Sequence, residues 1–229
     1  MTESVGSRRQ FGEGPLSRAV AWIYLLLIVE LLFLLAILPG LIPMMLLLRD
    51  PSNIPLVALC LVPAGPAVSA AVYALHHRKL DLTDLKPGPM FWRGYRANAV
   101  GVLQIWLPLL AFLAIVGIVL TNLDAAGVPT WWAGLLGVLG GVALLAGVNA
   151  LVITSLFSFR ARDIAKLGLY FVLRTKGVAL GNLCLLIVAA AVTALFSEVI
   201  LALLGSVLAL ALLRNARPMI AVVQKEFVA

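Results

Sequence analysis

A chain of 229 residues with 63% apolar and 12% charged side chains, at a mean hydropathy of +1.10, is too oily for a water-soluble fold. Soluble domains run near half apolar and about a quarter charged, and a domain this small leaves much of its surface outside any core. Lipid must be the solvent for most of it. The formal net charge of +7 follows from basic residues along the inner rim of a membrane protein, and with no aromatic-basic recognition module nucleic acid is not expected as a partner.

Residues 1–15 are polar, carry Arg8 and Arg9, and read as a disordered cytosolic tail. The apolar run that starts near Leu16 is too long for a signal-peptide core and has no small-residue cleavage site after it, so it reads as a span that stays. Over 17–38 it covers about 33 Å at 1.5 Å per residue, enough for a hydrocarbon layer of about 30 Å. Pro39, Gly40 and Pro43 are expected to end or kink this helix. That leaves 44–48 along the far interface and Arg49, Asp50 and Pro51 in a turn.

The second span, roughly 55–77, holds the main irregularity of the chain. Pro63 and Pro66 remove two backbone donors and Gly65 loosens the turn between them. Carbonyls left unpaired in hydrocarbon are costly, so the break must be buried against protein or line a wet cavity. Past it, Ala67, Ala70, Ala71 and Ala74 form a small face that lets a neighbouring backbone come close. The span ends in His76, His77, Arg78 and Lys79.

A cytosolic loop over 78–90 leads to Phe91, Trp92, Arg93, Tyr95 and Arg96, a mixture suited to the headgroup layer. The third span follows to about Leu120, with Pro108 expected to bend it. Residues 122–130 make a short loop with Asp124 and no basic residue, and Trp131 and Trp132 open a fourth span reaching about Phe159. Gly137 and Gly141 give it a GxxxG spacing suited to tight helix contact. Over 160–176 Asp163, Lys166, Tyr170 and Arg174 share one face, with Ile164, Leu167 and Phe171 on the other. This reads as an amphipathic helix on the membrane surface.

From 177 to 213 the chain is apolar for about 55 Å of helix, nearly twice one span. Ser197 and Glu198 interrupt it near the middle, giving spans over 177–196 and 198–217. Six spans then leave 16 of the 17 Lys and Arg residues on one side, with Arg49 alone opposite. The positive-inside rule makes that side the cytoplasm; a five-span chain would put Arg214, Arg217 and Lys225 outside. The expected fold is therefore all-α, a polytopic helical membrane protein. It has one six-helix domain over 16–222 and a short tail over 223–229. Both termini are cytoplasmic, and interfacial amphipathic helices precede the third and fifth spans.

Glu30, midway along the first span, is the sharpest candidate for chemistry, because a carboxylate there is costly unless protonated, paired or hydrated. It fits a proton, cation or solute site, and better a protonated or hydrogen-bonded lock between helices, with Asn98, Gln104, Asn149 or Asn182 as partners. Pro63, Gly65 and Pro66 fit a discontinuous helix at a transport site or a packing kink. Arg93, Arg96, Arg162, Lys166 and Arg174 fit anionic headgroups at the cytoplasmic face, or a partner surface. Cys60 and Cys184 lie in apolar runs without metal or disulfide spacing and read as buried small hydrophobes. No hydrolase elbow, phosphate loop or pair of catalytic acids is present. No catalytic residue, metal site or cofactor is expected.

Two segments, PAGPAVSAAVYAL at 63–75 and FWRGYRAN at 91–98, together with the six-span layout, resemble the YesL-like family of bacterial membrane proteins, whose members have no established molecular function. The chain departs from the family pattern in its two prolines in the first element and its long alanine- and leucine-rich spans. Members are often encoded beside carbohydrate uptake systems. The resemblance therefore implies a bacterial cytoplasmic membrane and a non-catalytic accessory or scaffold role linked to sugar import, with ABC transporter subunits as partners. The alternative from the residues is a small-solute or lipid carrier with its path near Glu30 and the broken helix at 63–66.

Overall fold

The computed structural model describes residues 15–48, 50–78, 86–123, 125, 127 and 129–227. Of the tail expected over residues 1–15, residues 1–14 lie outside these residues and Pro15 already opens the first helix; Arg49, Asp124 and most of the 78–90 loop also lie outside. Among the described residues every regular element is helical. Ten α-helices follow in order: α1 (Pro15–Leu46), α2 (Ile54–Cys60), α3 (Ala64–His76), α4 (Pro87–Thr121), α5 (Trp131–Leu156), α6 (Ala161–Arg174), α7 (Lys176–Leu195), α8 (Glu198–Ala202), α9 (Gly205–Asn215) and α10 (Arg217–Phe227). Four of them, α1, α4, α5 and α7, are long and apolar enough to cross a membrane, and up to six spans result if two bent pairs each count as one.

The fold centres on α3, which packs against α1, α4, α5 and α9. Its small face is the reason: Ala67, Ala70, Ala71 and Ala74 are all buried, so neighbouring backbones meet it closely. From α1 the residues Ala21, Leu25, Val29, Phe33 and Ile37, four apart, turn inward. The opposite face of the same helix exposes Ile23, Leu27, Leu31 and Leu35. A helix greasy on both its packed and its open face is one that lipid surrounds.

Several expectations are corrected. Pro39 and Pro43 do not end the first helix; α1 runs through both for 32 residues. Gly40, inside the helix, serves as a contact, since a Cβ there would overlap the Cys60 carbonyl oxygen. The aromatic-basic stretch 91–96 is not a separate interfacial helix before the third span; it is part of α4, continuous for 35 residues. Before the fifth span there is a separate helix, α6, with Ile164 and Phe171 buried and Arg162 and Lys166 exposed. It packs along the last turns of α5, where Gly168 sits against the Ala146 carbonyl. Gly137 and Gly141 make no close contact. The turn at Ser197 is where the sequence places it: the side chain accepts from Ile200 N–H and starts α8. The stretch beyond is not one straight span, because it breaks between α8 and α9 and bends by 53° between α9 and α10.

Candidate functional site

The broken helix is built from its missing donors. Pro63 lacks the amide that would continue α2, and the chain tightens instead, with Val62 N–H donating to Leu59 O at 3.1 Å and Ala64 N–H to Leu61 O at 3.1 Å. The α2 and α3 axes meet at 40°. The break lies over 61–63, so Pro66 falls inside the first turn of α3 and not within the gap. One partner comes from α4: the Trp106 indole N–H donates to Leu61 O at 2.9 Å. Gly65 makes room for that ring, since a Cβ there would stand 2.7 Å from it. The Gly40 backbone of α1 abuts the carbonyl of Cys60 from the other side. The break is thus clamped by two neighbours, which is how an irregular backbone persists in lipid.

The five polar residues singled out from the sequence do not form one site. Glu30 Oε2 accepts from the backbone N–H of Ser206 at 2.7 Å, in the first turn of α9. It acts as a cap supplied from a distant helix, satisfying one of the donors that a helix start leaves free. Its Oε1 is buried without a partner among the described residues. Gly205 permits the approach, because a Cβ would overlap the Phe33 ring one turn along α1 from Glu30. Asn98 donates to Ser155 O at 3.1 Å, and Ser155 and Ser69 hydrogen-bond through their hydroxyl oxygens at 2.9 Å. Gln104 is exposed on α4.

Asn149 and Asn182 do meet, and a third residue the sequence reading passed over joins them. Asn182 donates to Asn149 Oδ1 at 2.9 Å, and Asn215 donates to Asn182 Oδ1 at 2.8 Å. The row is anchored at its ends by Gly168 O, at 3.3 Å from Asn149 Nδ2, and Val178 O, at 2.9 Å from Asn215 Nδ2. It ties α5, α6, α7 and α9 together, with Asn149 and Asn182 buried and Asn215 partly buried.

The break and Asn182 of the asparagine row border one cavity of about 450 Å³ between α1, the α2–α3 break, α7, α8 and α9. Leu61 and Ala64 of the break, Leu185 and Ala189 of α7 and Leu208 of α9 form its walls, with Asn182 and Glu198 among the few polar groups on it. It occupies the half of α1 from Phe33 to Met44, far from Trp22. Its size is that of a ligand site and its lining is apolar. Cys60 is half-buried on this wall, whereas Cys184 is exposed on α7 and is not the buried residue expected.

The basic candidates stand apart. Arg93 and Arg96 are exposed around a cleft with Pro89 and Trp92. Arg162 and Lys166 are exposed on α6. Arg174 pairs with Glu226 at 2.6 Å and also donates to the Tyr170 hydroxyl, so its charge is spoken for. Among the described residues no three His, Cys, Asp or Glu side chains gather to hold a metal ion. No protein-family model, curated protein or solved structure matches the chain.

Proposed function

We propose that this is a non-catalytic protein of the bacterial cytoplasmic membrane, spanning it six times with both termini in the cytoplasm, and that it holds a lipid chain in the cavity beside the broken helix. The cavity carries this reading. Its walls are almost entirely alkyl side chains, with Asn182, Thr193 and Glu198 the polar residues among them, which suits an acyl or isoprenoid chain and not a sugar or an ion. Glu30, the acid a proton-coupled carrier would use, is turned to the start of α9 and is absent from the lining.

The test is lipid analysis of the chain purified in mild detergent, compared with an Ala189→Trp variant that fills the cavity. Wild type is expected to retain a tightly bound lipid that the filled variant loses. Equal retention by both would overturn the reading. An accessory role beside a sugar-uptake transporter is a second proposal, resting on the resemblance of 63–75 and 91–98. It finds a surface in the exposed face of Trp92, Arg93 and Arg96. Copurification of ABC transporter subunits, lost in Arg93→Glu/Arg96→Glu, is its expected outcome.

A further inference from the structure

Three arginines from different parts of the chain converge at the end of the bundle where α1 begins. Arg78 follows the C-terminus of α3, Arg214 sits in the last turn of α9, and Arg217 opens α10. The guanidinium carbon of Arg78 lies 4.3 Å from the Trp22 ring centroid, and that of Arg214 lies 5.9 Å from the same ring. Both are within cation–π range of one indole. Around them is a cavity of about 290 Å³ with His76, Leu213, Ile220 and Gln224 on its wall.

Among the described residues no carboxylate pairs with any of the three, whereas Arg174 does have its Glu226. Burial, then the charges of Arg217 and Arg214, hold the Arg78 guanidinium below its ordinary value. Helix ends account for part of the cluster. Arg78 donates to Leu75 O at the end of α3, and Arg214 stands at the end of α9, where the helix dipole favours a cation. Arg217 has no such reason. It stands in the first turn of α10, the positive end of that helix, where the dipole disfavours a cation. Two other arginines are already nearby. A negative charge in the cavity would offset all three.

We infer that Arg78, Arg214 and Arg217, with Trp22 behind them, form a binding site for a phosphate group, either a phospholipid headgroup or a free phosphate. Planar guanidinium forks suit the tetrahedral oxygens of a phosphate, which they grip through paired N–H donors. The residues differ from those that line the cavity beside the broken helix, and the site stands whether or not that cavity holds a lipid.

Two measurements on the full chain test it. In detergent, the thermal midpoint is followed against inorganic phosphate, with chloride at matched ionic strength as control. In phosphatidylcholine nanodiscs doped with phosphatidylglycerol, the lipid retained after extraction is read by native mass spectrometry. Wild type is expected to respond in at least one. A phosphate response alone assigns a free anion, and phosphatidylglycerol retention alone assigns a headgroup. Arg214→Gln/Arg217→Gln should weaken that response roughly tenfold or more. Arg162→Gln/Lys166→Gln, which removes the same charge from α6, should leave it unchanged. If the cluster variant does not yield folded protein, Arg217→Gln alone is read in the same way. Silence of the wild type in both arms, or equal loss in the two paired variants, would overturn the inference.

Discussion

The start of α9 requires only an acceptor from Glu30: the oxygen that takes the Ser206 N–H at 2.7 Å would serve equally well on an amide. Glu30→Gln should therefore leave stability within about 0.5 kcal/mol of wild type, while Glu30→Leu strands a buried N–H and should cost about 1–3 kcal/mol. Unfolding in mixed detergent micelles reads both, and equal losses would show that charge rather than acceptance matters. Asn182 makes a stronger demand, because it both donates and accepts within the asparagine row. Asn182→Leu breaks two bonds that in membranes are worth about 0.6–1.7 kcal/mol each, so a loss of roughly 1–3 kcal/mol is expected in the same assay. Asn149 and Asn182 were legible as polar residues inside apolar runs. Asn215 was not, since beside Arg214 it reads as the polar exit of a helix. Which of several polar groups meet depends on helix rotations that the pattern of one chain leaves free; hence Gln104, equally polar and equally embedded in sequence, ends on the outside.

At the scale of elements, spacing misled where space decides. Gly137 and Gly141 have the motif but no neighbour within 4 Å, whereas Gly65, next to two prolines, carries the Trp106 ring against it. Gly65→Ala should destabilise by about 1–3 kcal/mol, because the indole and its bond to Leu61 O must both shift. Gly137→Ala should be neutral or slightly favourable, as alanine is the better helix former. Thermal midpoints of the two variants check this, and the reverse order would sink the clamp described for the broken helix. The existence of the break was legible from Pro63 and Pro66. Its position and its partners were not, since the proline pattern says which donors are missing and not which neighbour supplies a replacement. The same limit applies to Pro39 and Pro43, where α1 carries on past two lost donors packed against the α2–α3 break.

For the whole molecule, the question is which helices carry the last crossing. Residues 198–215, as α8 and α9, cover about 27 Å at 1.5 Å per residue, close to the hydrocarbon thickness. The 53° bend at Ala216 then turns α10 aside. Met219, Ile220 and Val223 of α10 are buried, its Gln224, Lys225 and Glu226 are exposed, and Glu226 is tied to α6 through Arg174. In the six-crossing arrangement proposed above, a helix with that polar face lies on the membrane surface, beside α6, Arg78 and Trp22 at the basic rim. Those six proposed crossings take this placement together with the charge count, with α8 and α9 in place of the bent α9–α10 pair as the last span. In a background lacking Cys60 and Cys184, a cysteine at Ser197 is then expected to react with an impermeant thiol reagent added outside intact cells. One at Gln224 should react only after permeabilisation. If Gln224→Cys labels from outside and Ser197→Cys does not, 177–213 crosses once, and Arg214, Arg217 and Lys225 face away from the cytoplasm.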